Sequence, residues 1–321
     1  MENLTVKTAY CLVFYTKNNC LNKLNIYSNK LIMLKKQTIN KMKKFNKIYT
    51  SILLITLTIF TSCTTNDDDF STIDTGKAGN IQLKFENGFE NLGGIVLHKT
   101  TQTSANGQKY NFTTLKYIIS NITLIDEAGN EYVYHKNNAD KGAFIIDQEK
   151  AVANIIYVDL KDVPQNKYIK IKFGLGTHQN AYLLGHDGQA QFWDKAKENG
   201  MTWSWAAGYV FVKLEGLYGT TEATNPYKNH TGNMGNVIAN NTADLYREIT
   251  LNLPNTARVT SKIKPAIHIM ADLNQFLSGE KKLTLNTSTE NSMGSSQHLI
   301  NVTDNLIKMF RVDHVHNNQS N

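Results

Sequence analysis

IKIKFGL, residues 169–175, sets Ile169, Ile171, Phe173 and Leu175 against Lys170 and Lys172 at a strict period of two. Side chains alternate across a strand but recur every third or fourth residue on a helix face, so this stretch reads as a strand with one buried and one solvated side. The same pattern recurs along the chain. Ile81, Leu83 and Phe85 alternate with Gln82, Lys84 and Glu86, and Ile249, Leu251 and Leu253 with Glu248, Thr250 and Asn252. Between them lie LKYIISNITLID (115–126), AFIID (143–147) and NIIYVDL (154–160), rich in the β-branched and aromatic types that suit a pleated surface. DEAGN (126–130) supplies turn residues before EYVYH.

Helical signal is scarce. FWDKAKENG (192–200) predicts a short helix ending at Gly200, DLNQFLSG (272–279) one begun by Asp272, and TDNLIKMF (303–310) one capped by Thr303. Two stretches, 220–241 and 286–298, read as loops longer than ordinary connections. The expectation is an all-β fold: an antiparallel β-sandwich with a few short peripheral helices, formed by one domain over residues 79–321.

The N-terminal region reads differently. KKFNKIYTSILLITLTIFTSC (43–63) places Lys43, Lys44 and Lys47 before an apolar run from Ile48 to Phe60, followed by Thr61, Ser62 and Cys63. That order is the one a secretory signal has, and the run is short of the roughly 20 residues a membrane span needs. The Cys63 segment resembles a lipoprotein lipobox, so residues 42–62 are expected to be a signal peptide and Cys63 the lipidated first residue. Residues 1–41 read as an upstream extension outside the native protein, and 63–78 as an acidic polar tether. Asp67, Asp68 and Asp69 in that tether resemble the surface-export signals of Bacteroidetes lipoproteins. The expected location is therefore the outer membrane, facing the cell surface or otherwise the periplasm.

This processing changes the charge. The full 321-residue chain is formally +7, with 34 basic and 27 acidic side chains. Residues 1–62 hold ten lysines and one acidic residue, so the remainder has 24 basic and 26 acidic groups, a net −2. Nucleic-acid binding, which needs a clustered basic surface, loses its support. Cys11 and Cys20 are removed as well. With Cys63 acylated, thiol catalysis and cysteine-held zinc or iron–sulfur sites are excluded.

No nucleophile elbow, zinc-protease helix, phosphate loop or dinucleotide fingerprint occurs, and an enzyme is not expected. Histidine, methionine and tryptophan remain. All nine histidines follow residue 63. Imidazole and thioether suit copper, and without a thiolate the site would not be a blue-copper one. His230 lies in NHTGNM, four residues before Met234; His268 and Met270 share one face of AIHIM; His314 and His316 share one face of DHVHNN if it is extended. Each also has an ordinary explanation, solvation for the loop histidine and half-buried packing for the strand faces.

GMTWSWAAGYVFVKLEG (200–216) carries two of the three tryptophans. As a strand it would put Trp203, Trp205, Ala207, Tyr209 and Phe211 on one face. Such a face packs a core, stacks against sugar rings, or adjoins a metal.

Taken together, LKYIISNITLID, FGLGT (173–177), the tryptophan block, His230-Thr231-Gly232 and IKMFRVDHVHN (307–317) resemble the copper-binding MbnP-like family, founded on proteins that accompany methanobactin copper-acquisition systems. The segment THQNAYLLGHDG (177–188) departs from the family pattern. The resemblance implies a lipid-anchored or secreted β-sandwich that binds copper and is not itself an enzyme. It implies His230 and His314 as preferred ligands, with His268 and His316 as further candidates. It also implies Trp203 or Trp205 as a residue that a partner di-haem, cytochrome c peroxidase-like oxidase converts to kynurenine. The function expected is copper capture or buffering outside the cell. The alternative is a non-catalytic surface module that binds a glycan or a protein.

Overall fold

In the computed structural model, which describes residues 73–318, the alternation at 81–86 becomes the first strand of the fold, with Ile81, Leu83 and Phe85 buried. The strands are β1 (Ala78–Phe89), β2 (Gly93–Gly94), β3 (Thr101–Thr103), β4 (Lys109–Asn111), β5 (Thr114–Asp126), β6 (Glu131–Val133), β7 (Phe144–Asp147), β8 (Ile155–Pro164), β9 (Lys167–Leu175), β10 (Val212–Gly219), β11 (Asn225–Thr231), β12 (Arg247–Arg258), β13 (Ala266–Asp272), β14 (Asn291–Gly294) and β15 (Phe310–His316). Short helices punctuate them: α1 (Ala139–Gly142), α2 (Gln179–Tyr182), α3 (Ala190–Glu198), α4 (Gln275–Ser278) and α5 (Gln297–Leu306). The expected signal peptide, Cys63 and most of the tether lie outside the described residues.

The strands form two sheets. One has five strands in the order β15-β13-β1-β2, with β8 along the other side of β1. The second has ten, built on the path β12-β9-β5-β10-β11-β14. Their inner faces interdigitate through aromatic rings. Phe85 of β1 meets Tyr117 of β5 at 6.4 Å and Phe173 of β9 at 6.1 Å, and Phe310 of β15 meets Phe173 at 5.1 Å. Edge-to-face rings at these separations add to the burial that holds two sheets together. The sandwich expected from the alternation is what forms, and most pairings are antiparallel. Two are parallel, β1 with β13 and β11 with β14.

Several local expectations change. Residues 201–211 are not a strand: Thr202 and Tyr209 form one isolated bridge, and the amides of Trp203 and Val210 bond within the segment, to Gly208 and Met201. Gly200 and Gly208 both take positive φ, and Gly208 at +122° adopts a conformation few other residues accept, which lets the segment fold back on itself. The regular strand starts only at Val212. The supposed loop at 220–241 contains β11, whose residues 225–231 pair with β10. The supposed loop at 286–298 contains β14 and the start of α5. That helix is capped by Ser296, whose hydroxyl accepts from Leu299 N, and Thr303 sits inside it bonding back to Leu299 O. Asp272 ends β13 and its carboxylate accepts from the Asn274 amide, so it serves the turn before α4, two residues ahead of the N-cap position that Asn274 holds.

Candidate metal centre

β13 runs between β1 and β15, parallel to the first and antiparallel to the second. Its alternation buries Ile267, Ile269 and Ala271 and leaves His268 and Met270 on the outer, half-covered face. On one rung His268 stands opposite Lys84 of β1 and His314 of β15. The register then slips: Ile269 pairs with Val312, so Asp313 is an extra residue on β15. A β-bulge of this kind re-aims a side chain. Here it brings the Asp313 carboxylate to the same side as its neighbour His314, which an unbroken strand would forbid.

The result is a compact group of donors. His268, Asp313 and His314 can each present one ligand atom with all three within 4.8 Å of one another. The His268 and His314 rings lie 4.8 Å apart, centroid to centroid, and His314 and His316 lie 4.4 Å apart. Accessibility rises outward, from 12% for the His268 side chain to 40% for His314, with His316 exposed. His268 Nε2 is buried and makes no hydrogen bond, although Glu86 Oε2 of β1 lies 3.0 Å away. The Asp313 carboxylate accepts from Arg311 at 2.8 Å and faces His314 Nδ1 at 2.7 Å. These two contacts hold its pKa below the usual carboxylate range. Burial pushes the His268 imidazole below its ordinary pKa, and the neighbouring His314 acts the same way against the opposing pull of Glu86.

This donor set fits copper. A metal needs neutral imidazole with a free lone pair; burial favours the neutral form of His268, and its Nε2, 3.0 Å from Glu86 Oε2, makes no well-aligned hydrogen bond. Imidazole with carboxylate also suits a divalent first-row ion in a tetragonal or tetrahedral site.

His230 stands elsewhere. It belongs to β11 in the ten-stranded sheet, opposite Lys213 of β10 and Met293 of β14. Its Nε2 is 2.8 Å from Glu215 Oε1. The hydrogen bond with His230 is the largest cause holding the Glu215 carboxyl down to about 2, and Lys213 and Thr114 act in the same direction. The structure therefore brings together His268, His314 and His316 and leaves His230 in a separate ion pair. Asp313 and Glu86 went unnoticed in the sequence because one arrives through a bulge and the other from a strand some 180 residues earlier.

The tryptophans part company too. Trp203 is 6% exposed, and its indole Nε1 donates to Asn233 O at 3.0 Å. Trp205 is 58% exposed, with its ring 5.6 Å from that of Trp203. Gly208 lets the loop close onto the same carbonyl; a Cβ there would lie 2.3 Å from Asn233 O. Trp193 of α3 lines a nearby cleft of about 400 Å³ with Tyr182, Leu183, His186 and Ala207.

Comparison with known proteins adds the lineage. No curated protein matches the sequence. Among solved structures the chain is similar to MbnP from Methylosinus trichosporium, with 10% identity, a TM-score of 0.40, and coverage of 66% of this chain and 82% of that one. The family model for MbnP matches residues 78–297, a span from the first strand of the sandwich to the start of α5. That is well over half of the sequence, and the chain belongs to the MbnP family.

Proposed function

We propose that this protein is a lipid-anchored, extracytoplasmic copper-binding protein that captures or buffers copper and performs no catalysis of its own. The single observation that carries the reading is the His268–Asp313–His314 cluster, whose donors converge within 4.8 Å on the outer face of the five-stranded sheet. His268 and His314 would hold the ion, with His316 beside it at the rim. Membership of the MbnP family supports copper as the metal. Anchoring through Cys63, export to the cell surface, and oxidation of Trp203 or Trp205 by a di-haem oxidase belong to the same proposal. Trp205 is the tryptophan an external oxidant would reach, and Trp203 is the one held by a hydrogen bond.

Native mass spectrometry of the protein taken from its own host tests these parts together. It is expected to show bound copper, an acylated N-terminus at Cys63 and one oxidised tryptophan. Protein that carries none of these, and takes up no copper on exposure to it, would defeat the reading.

A second reading has its own observation. Trp205 and the cleft at Trp193 and Tyr182 offer aromatic surface to a glycan. Metal-independent glycan binding that is lost on Trp205→Ala or Trp193→Ala would favour it.

A further inference from the structure

We propose that the two carboxylates of this centre have different tasks: Glu86 binds the metal, and Asp313 positions the His314 imidazole so that Nε2 faces the ion. The inference rests on the copper reading above and says how the site is assembled.

Each oxygen of Asp313 has a protein partner. Arg311 Nη1 donates to Oδ1 at 2.8 Å, and Oδ2 faces His314 Nδ1 at 2.7 Å in hydrogen-bond geometry. An ionised carboxylate only accepts, so Nδ1 is the ring nitrogen that donates to Asp313, and Nε2 is the one left to face an ion. Metal-bound histidines commonly have the remote ring N–H held by a carboxylate in this way, which fixes both tautomer and ring orientation. A direct metal bond from Asp313 would have to share an oxygen that already accepts from Arg311 or faces His314. The bulge at Asp313 thus serves the ligand beside it.

Glu86 is in the opposite situation. Its side chain is 24% exposed, and among the described residues it has no lysine or arginine partner. Lys84, two residues earlier on the same strand face, extends instead over the Tyr157 ring at 5.9 Å. Glu86 pairs with Met270, two residues along the β1–β13 ladder from His268, a diagonal that long side chains span. Its Oε2 lies 3.0 Å from His268 Nε2, an ion-pair distance at which the two groups are poorly aligned for a hydrogen bond. Two donors bound side by side on one ion, with bonds of about 2.0–2.2 Å, are separated by about 3 Å. The spacing is that of neighbouring ligands.

The test compares Glu86→Gln and Asp313→Asn with wild type in the full chain, by Cu(II) titration, EPR of the copper-loaded protein, and ¹⁵N NMR of the metal-free imidazoles. Glu86→Gln is expected to change the EPR parameters as an anionic oxygen donor is lost, and to weaken binding more than Asp313→Asn does. Asp313→Asn is expected to retain the wild-type ligand signature and weaken binding by about 10–100-fold. It should also shift His314 away from the Nδ1–H tautomer expected for the metal-free wild type. An oxygen donor lost from Asp313→Asn but kept in Glu86→Gln would overturn the assignment, as would unchanged EPR in both. If the wild type binds no Cu(II), the copper reading fails and Glu86 loses its role with it. The NMR arm still decides Asp313 in that case, because His314 found as the Nε2–H tautomer contradicts the positioning role.

Discussion

His268 and His314 occupy one rung of the β13–β15 pairing with their imidazole centroids 4.8 Å apart and their planes at 78°. Neither strand alone holds a site, and the fold makes one by pairing them. Replacing either histidine by alanine should abolish tight copper binding while leaving the fold intact, since both side chains sit on the outer sheet face and not among the aromatic rings between the sheets. Copper retention after dialysis, read beside far- and near-UV circular dichroism, checks both halves of that expectation.

His230→Ala should behave in the opposite way. Its imidazole is a partner to Glu215, and removing it strips a hydrogen bond from a partly buried carboxylate, a loss on the order of 2 kcal/mol. Chemical denaturation is expected to show the destabilised fold, and copper stoichiometry is expected to stay at the wild-type value.

The same pair predicts a pH dependence. The folded Glu215 carboxyl is depressed from 4.5 to about 2, chiefly by the hydrogen bond with His230. A depressed carboxyl contributes stability that is complete above the unfolded value and fades as pH falls through the folded one. Between pH 4.5 and about 2 wild-type stability should therefore decline more steeply than that of Glu215→Gln. Urea midpoints across that range measure the difference, and parallel curves would contradict it.

How much of this was legible in the sequence depends on the range of the interaction. Period-two alternation at 81–86, 169–175 and 249–253 identified strands correctly, because one-sided burial writes itself into consecutive residues. It misread 201–211, where the alternation is present but Gly208 at φ +122° turns the backbone onto itself before a partner strand begins. Polar composition at 225–231 suggested a loop, yet those residues are held by β10 and β14 on either side. For the site, His230, His268, His314 and His316 all stood out by type and spacing, and the fold sets His230 apart from the other three. Their association with Glu86, and the bulge that delivers Asp313, are matters of register between strands distant in sequence, which no single stretch encodes.

The tryptophan loop offers a test by chemical reactivity. A limiting dose of an indole oxidant should modify Trp205 well before Trp203, given 58% against 6% exposure. Trp205→Ala should change stability by no more than about 0.5 kcal/mol, as surface substitutions do. Trp203→Ala should cost about 3–5 kcal/mol, the range for emptying a large aromatic site in a core. Peptide mapping and denaturation midpoints read the two outcomes.

Gly208→Ala should disturb the same loop without touching either indole directly. The added methyl would meet the Asn233 carbonyl that accepts from Trp203, and the positive φ adds strain of about 1–3 kcal/mol. A red-shifted tryptophan emission with a lowered melting temperature is the expected result, and an unchanged spectrum would show that the loop does not depend on that glycine.

The central claim is that copper is held by the β13–β15 histidines, and copper content per chain tests it most directly. Metal analysis of the copper-exposed, dialysed full chain should find about one ion in the wild type and in His230→Ala, and close to none in His268→Ala or His314→Ala. Equal copper in all four proteins, or copper lost only from His230→Ala, would contradict the account.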